Sequence, residues 1–263
     1  LIMIKFPPVE YANEQGLLAV GGDLSVESLL AAYTAGIFPW PIGEDFPLTW
    51  FAPDPRAILF IKDFVIPKSM QKILKKTKSM YEITVSKNFY SIIEKCANVR
   101  RKQSESNSLG LLSATEQEAI PKLEEGPTHT WITRELMNAY VYLFNRGYAY
   151  SIEVYESEHE IENKTEAENK SEKQKLVGGL YGVFIGGMFT GESMFHLKDN
   201  VSKMALIFLA QKLKELEIEW IDIQMLTPTL KNFGATEIKR DYFMQLLREA
   251  LKKNHNPNIL SSF

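Results

Sequence analysis

Between Val26 and Gly36 the apolar residues of VESLLAAYTAG return every three to four positions, which predicts a helix capped by Asp23 or Ser25 and stopped by Gly36. Similar spacing predicts helices in PKSMQKILKKTK (Pro67 to Lys78), FYSIIEKCANVR, TWITRELMNAYVYLFNRG with its stop at Gly147, VSKMALIFLAQKLKELEI and DYFMQLLREALKK. Apolar runs and alternation predict strands in AILFI, YEITVS, YAYSIEVYE and EWIDIQML. The stretch LVGGLYGVFIGGMFTGESMF, Leu176 to Phe195, reads as strand, turn at Gly186-Gly187, and strand.

Upstream of these elements, Phe6 to Trp50 is rich in Gly and Pro and reads as a compact module with one or two short helices. Two prolines flanking Asp54 mark a connector, so the domain boundary is placed there, with residues 1–54 on one side and 55–263 on the other. The second part mixes helices with hairpin-connected strands, an α+β pattern and not a regular βαβ array. Two polar segments interrupt it, near 101–128 and at 156–175. In the first, Ser113 and Glu116 have capping-box spacing ahead of a brief helix ended near Pro121. The second, almost without apolar groups, reads as a mobile surface insertion.

Composition narrows the chemistry. The chain has 263 residues, 45% hydrophobic and 24% charged, as a globular protein with a substantial core would. A single cysteine, Cys96, leaves no internal disulfide, and His129, His159, His196 and His255 are too scattered to suggest metal ligands. A reducing, cytosolic setting fits, and no apolar run approaches the roughly 20 residues of a membrane helix. No Walker pattern, no G-x-G-x-x-G opening a helix and no H-E-x-x-H is present, and Gly191-Glu192-Ser193 lacks the G-x-S-x-G of a serine elbow. ATP, nicotinamide and zinc chemistry are therefore not expected, and neither is a cofactor or metal. A net charge of -3 argues against a protein that wraps duplex nucleic acid, although charge distribution matters more than its sum.

Glu192 is the residue out of place, a carboxylate among Phe189, Met194 and Phe195 that must be paired, protonated or turned to a cavity. Alternation puts Glu192 and Met194 on one side of their strand, and Asp222 with Gln224 on one side of theirs, opposite Ile221 and Ile223. If the strands are neighbours, Glu192, Asp222 and Gln224 converge on one pocket; the plain alternative is a buried polar group satisfying backbone atoms. Lys68, Lys72, Lys75 and Lys76 share a helix face, either solvated or meeting phosphates. Trp40 and Trp131 stand beside turn residues, either as core or as an exposed pair that clamps a nucleobase.

Taken in order, GLLAVGGDLSVESLLAAYTAGIFPW, PLTWFAPDPRAILF, TWITRELMNAY, LVGGLYGVFIGGMFTGESMF and WIDIQ resemble the leucyl/phenylalanyl-tRNA-protein transferases over nearly the whole chain outside the two polar insertions. The resemblance implies a small α/β domain in front of a GNAT-like acyltransferase domain. It implies a cytoplasmic enzyme that moves Leu or Phe, less readily Met, from aminoacyl-tRNA to the N-terminal Arg or Lys of acceptor proteins and so marks them for degradation. Trp40 and Trp131 would sandwich the terminal adenine, Leu180, Phe189, Met194, Leu209 and Leu213 would accept the aminoacyl side chain, and the four lysines would meet the acceptor stem. Asp222 with Gln224 would be the catalytic pair, Asp222 taking up the proton, while Glu192 would find its partner in the substrate amine. Tyr150 departs from the family, standing where a histidine is common. A transferase using acyl-CoA or building peptidoglycan bridges, and a tRNA-binding adaptor, are the rival readings.

Overall fold

A computed structural model describes residues 5–42, 46–98, 131–156, 174–254, 256 and 259–260. Most of both polar insertions, with the proposed capping box at Ser113, lies outside the described residues.

Seven α-helices are found among the described residues: α1 (Val26–Thr34), α2 (Lys68–Thr77), α3 (Phe89–Asn98), α4 (Arg134–Asn145), α5 (Val201–Glu215), α6 (Pro228–Lys231) and α7 (Arg240–Ala250). Their ends follow local chemistry. The Ser25 hydroxyl accepts from the Ser28 N–H at the start of α1, and the Thr133 hydroxyl accepts from the Leu136 N–H at the start of α4. Gly36 and Gly147, at φ +78° and +75°, turn the chain out of these two helices through the left-handed region.

The strands are β1 (Leu17–Val20), β2 (Phe38–Pro39), β3 (Thr49–Phe51), β4 (Arg56–Phe60), β5 (Tyr81–Val85), β6 (Ala149–Glu156), β7 (Lys175–Ile185), β8 (Met188–His196), β9 (Trp220–Gln224) and β10 (Thr236–Ile238). The first three make a small antiparallel sheet, which the N-terminal glycines and prolines conceal from a sequence reading. The others make one seven-stranded sheet in the order β10-β4-β9-β8-β7-β6-β5. Every pair in it is antiparallel except β8 and β9, which α5 connects as a parallel crossover. The fold is therefore a mixed α/β architecture.

Helices cover both faces of this sheet. Leu206, Leu209 and Leu213 of α5 share a buried cluster with Leu180, Phe184, Phe189, Ile221 and Ile223. Tyr181, Val183 and Phe195 join instead the cluster that holds Leu29, Tyr33 and Phe38 of the N-terminal module together with α3 and α4. The N-terminal module thus shares a core with the large sheet across Asp54. No helix among the described residues is long and apolar enough to cross a membrane.

Candidate active site

β8 and β9 run side by side for only two register pairs, Phe189 with Ile221 and Thr190 with Asp222. Past that point the ladder stops, and the polar residues gather where it does. β9 ends abruptly at Gln224, whose φ of +63° is rare for a side chain larger than glycine and is the kind of strain that clusters at functional sites.

Asp222 is buried and held from two directions. Arg56 of β4 donates to it through Nε at 2.9 Å and Nη2 at 2.6 Å, and the Gln224 backbone N–H donates to Oδ1 at 3.0 Å. Arg56 is itself buried, lying 4.6 Å from the Phe38 ring centroid and 4.7 Å from that of Phe243, with Nη1 donating to the Gly36 carbonyl at 3.3 Å. One guanidinium therefore ties β4 to β9, to α7 and to the N-terminal module. A two-pronged Arg–carboxylate pair in such a setting is strong, and removing one partner strands the other.

Glu192 sits at a β-bulge. In the β7–β8 ladder Tyr181 pairs with Ser193 but Gly182 pairs with Gly191, so residue 192 is the extra one and the alternation is reset. This corrects the expectation that Glu192 and Met194 share a side. Met194 packs with Leu180, Phe189, Leu209 and Leu213 in the α5-side cluster, whereas Glu192 meets Tyr33 and Tyr140 of the opposite cluster. The single greasy hollow expected around Glu192 is divided by the sheet.

The partner of Glu192 in the structure is a hydrogen-bond ring, a second correction. Tyr33 and Tyr140 each approach a carboxyl oxygen at 2.8 Å and each other at 2.6 Å, and Gln224 Nε2 donates to Oε1 at 3.1 Å. The ring has three oxygen–oxygen contacts and two tyrosyl hydrogens, so a third hydrogen must come from Glu192 to satisfy all three. Its titration agrees: burial pushes the Glu192 carboxyl up to about 7 despite the three donors, with nearby Asp222 adding to the rise. Burial holds both tyrosyl hydroxyls well above their usual range, so they keep their protons.

The structure thus brings Glu192 and Gln224 into direct contact and joins Asp222 to them through the Gln224 backbone. Arg56, Tyr33 and Tyr140 went unrecognised in the sequence. The tyrosines occupy core-facing helical positions and read as packing, and only the unpaired Glu192 signalled that partners were needed.

Trp40 and Trp131 are both half-buried and stack directly on one another, centroids 5.5 Å apart with planes 24° from parallel. A base between them would need two stacking intervals, about 7 Å, so the pair must part to admit one. On α2, Lys68, Lys72, Lys75 and Lys76 are all exposed while Met70, Ile73 and Leu74 pack on the core. Among the described residues none of the four forms an ion pair with a carboxylate. The Tyr150 hydroxyl donates to the Gly147 carbonyl at 2.9 Å, well placed as a structural group on β6.

Two family models match this chain, the leucyl/phenylalanyl-tRNA protein transferase over residues 117–248 and the N-terminal domain of the same transferase over residues 22–54. Proteins of that name from Flavobacterium johnsoniae and Colwellia psychrerythraea are 40% and 42% identical to it, over 92% and 95% of this chain and 95% and 89% of theirs. The chain belongs to the leucyl/phenylalanyl-tRNA protein transferase family. It is an aminoacyltransferase, with aminoacyl-tRNA as donor and protein as acceptor. A third relative, from Syntrophus aciditrophicus, is 41% identical over 95% of this chain and 87% of its own. A solved structure of L-PGS from Bacillus licheniformis covers 77% of this chain and 51% of that one at 14% identity and a TM-score of 0.33, too slight a likeness to carry an argument.

Proposed function

We propose that this enzyme moves Leu or Phe, less readily Met, from aminoacyl-tRNA onto the N-terminal Arg or Lys of acceptor proteins in the cytoplasm, marking them for degradation. The observation that carries this reading is the buried assembly of Glu192, Gln224, Asp222 and Arg56 where β8 and β9 part. An aminoacyl ester is already activated, so the site needs to position two reactants and manage one proton, with no phosphate-binding loop.

Asp222 was the expected proton acceptor, but both its oxygens are engaged by donors. Its role is better read as holding Arg56 and the Gln224 backbone. At neutral pH a carboxyl poised near 7 is ionised in about half of the molecules, and in that form, with the ring's third hydrogen gone, Glu192 takes the proton released as the amine adds, Gln224 joining it to the reaction side of the network. Trp40 and Trp131 part to hold the terminal adenine. Past Thr190 and Asp222, β8 and β9 are no longer paired. There the aminoacyl side chain passes to the apolar cluster of Leu180, Phe189, Met194, Leu209 and Leu213, meeting half-buried Met194 with the enclosed Leu209 and Leu213 behind it. The lysines of α2 meet the acceptor stem. The division at Asp54 is retained, with a small N-terminal domain and a GNAT-like domain from residue 55.

The test is transfer of label from radiolabelled Leu-tRNA to a protein beginning with Arg, without ATP or acyl-CoA. Label is expected in the Arg- and Lys-initiated proteins and absent from one beginning with Ala. Equal labelling of all three would overturn the acceptor assignment, and binding without labelling would leave only an adaptor.

A further inference from the structure

The hydroxyl of Thr190 is fully buried, and no protein group hydrogen-bonds it among the described residues. Thr190 stands beside Asp222 in the β8–β9 ladder and opposite Val183 in the β7–β8 ladder. Ladder partners point to the same face, so its side chain lies on the face that carries Arg56, Asp222 and Glu192, two residues before the bulge.

The neighbouring polar groups are already engaged. Asp222 accepts from Arg56 and Gln224, and Tyr33, Tyr140 and Glu192 share their hydrogens within the ring. Valine has nearly the shape of threonine and would fill this position without desolvating a hydroxyl that nothing pairs. A hydroxyl kept there at that cost has its partner in another state of the site.

We propose that Thr190 Oγ1 donates a hydrogen bond to the carbonyl oxygen of the aminoacyl ester, where negative charge gathers as the acceptor amine adds. In that step the amine nitrogen bonds to the carbonyl carbon, the carbon–oxygen bond to the ribose breaks, and the ribose oxygen leaves with a proton in place of the one the amine gives up. Thr190 transfers no proton; its contribution is an aimed donor, strongest when the oxygen is most negative. The inference rests on the transfer reaction proposed above.

Thr190→Val and Thr190→Ser decide the matter, each assayed for Leu transfer to an Arg-initiated peptide and for thermal unfolding. Thr190→Val is expected to lose about tenfold or more in kcat, with KM for Leu-tRNA changed less than about twofold and an unfolding temperature equal to or above that of the parent. Thr190→Ser, which keeps the hydroxyl, is expected to stay within about threefold of the parent. A packing role predicts the reverse order, Val active and Ser impaired, and that result overturns the proposal. So does full activity in Thr190→Val, or a loss confined to KM. Should Thr190→Val fail to fold, Thr190→Ala provides the hydroxyl-free comparison against Ser. Absence of transfer by the parent enzyme would refute the reaction itself, whereas a normal parent beside a normal Val variant refutes only the part given to Thr190.

Discussion

The two faces of the seven-stranded sheet are built on opposite principles. Toward α5, Leu180, Phe189, Leu209 and Leu213 are buried and Met194 is half-buried, in a cluster made of apolar side chains. On the other face, across one layer of backbone, Arg56, Asp222, Glu192, Gln224 and Thr190 are all buried together with the hydroxyls of Tyr33 and Tyr140. The first face is the kind that folding rewards directly, through apolar area removed from water. The second stabilises only if every donor and acceptor is matched, and a well-packed apolar replacement would often be as stable. A protein that nevertheless keeps a polar network there gives up stability for chemistry, and each side of the contrast can be probed separately.

The largest effect is expected from Asp222→Asn. It leaves the Arg56 guanidinium buried between Phe38 and Phe243 with half its partner gone, and breaking a buried pair costs about 3–5 kcal/mol. Urea unfolding should show that loss, and aminoacyl transfer should vanish with it. If stability holds and only transfer is lost, Asp222 acts on the proton directly and the positioning role given to it here is wrong.

On the opposite face Leu213→Ala should cost about 2–5 kcal/mol, the range for emptying a buried leucine site. Because Leu213 is fully enclosed, the ratio of Phe to Leu transferred should hardly change. Met194→Ala, at a position that is only half-buried, should shift that ratio toward the bulkier side chain. If both variants left the ratio untouched, the α5 face would be core and nothing more.

Next comes the pH dependence that Glu192 imposes. Its folded carboxyl titrates near 7, above its ordinary value of 4.5. Between those values the folded protein keeps a proton that the unfolded chain has released, so stability falls as pH rises from about 4.5 to about 7 and is level above. The whole change is about 3 kcal/mol. Glu192→Gln, neutral throughout, should flatten that slope in denaturant titrations at pH 5 and 7.5 while losing transfer activity. An unchanged slope would mean that Glu192 is ionised across the range and that the ring lacks its third hydrogen.

How far the sequence reached differs between the faces for the same reason. Helix periodicity and capping located α1, and the end of α4, to within about two residues, because Ser25, Gly36 and Gly147 act locally, whereas α4 starts at Arg134 behind a Thr133 cap, inside the stretch predicted from Thr130. The sheet β1–β3 escaped, its strands being two to four residues long and broken by Gly and Pro. Period-two alternation identified Asp222 as polar-facing but grouped Glu192 with Met194 on one side of β8, since a bulge adds one residue and leaves no mark in the pattern. Arg56 and the two tyrosines come from 20 to 166 positions away from the groups they bind, and such pairings are fixed by topology alone.

The smallest effect on the fold, and a clear one on binding, is expected at α2. Lys68, Lys72, Lys75 and Lys76 are exposed on a helix whose apolar side is already docked, so replacing them should leave the unfolding temperature nearly untouched. Binding to RNA phosphates is driven by release of counterions, and its logarithm falls with the logarithm of salt in proportion to the phosphates neutralised. Reversing Lys72 and Lys75 to Glu should therefore weaken binding of aminoacyl-tRNA at low salt and flatten its salt dependence by roughly the loss of two contacts. A solvated face predicts neither change. A weaker affinity with the original slope would point to altered docking of the helix and not to phosphate contact, so the slope, more than the affinity, assigns these lysines to the acceptor stem.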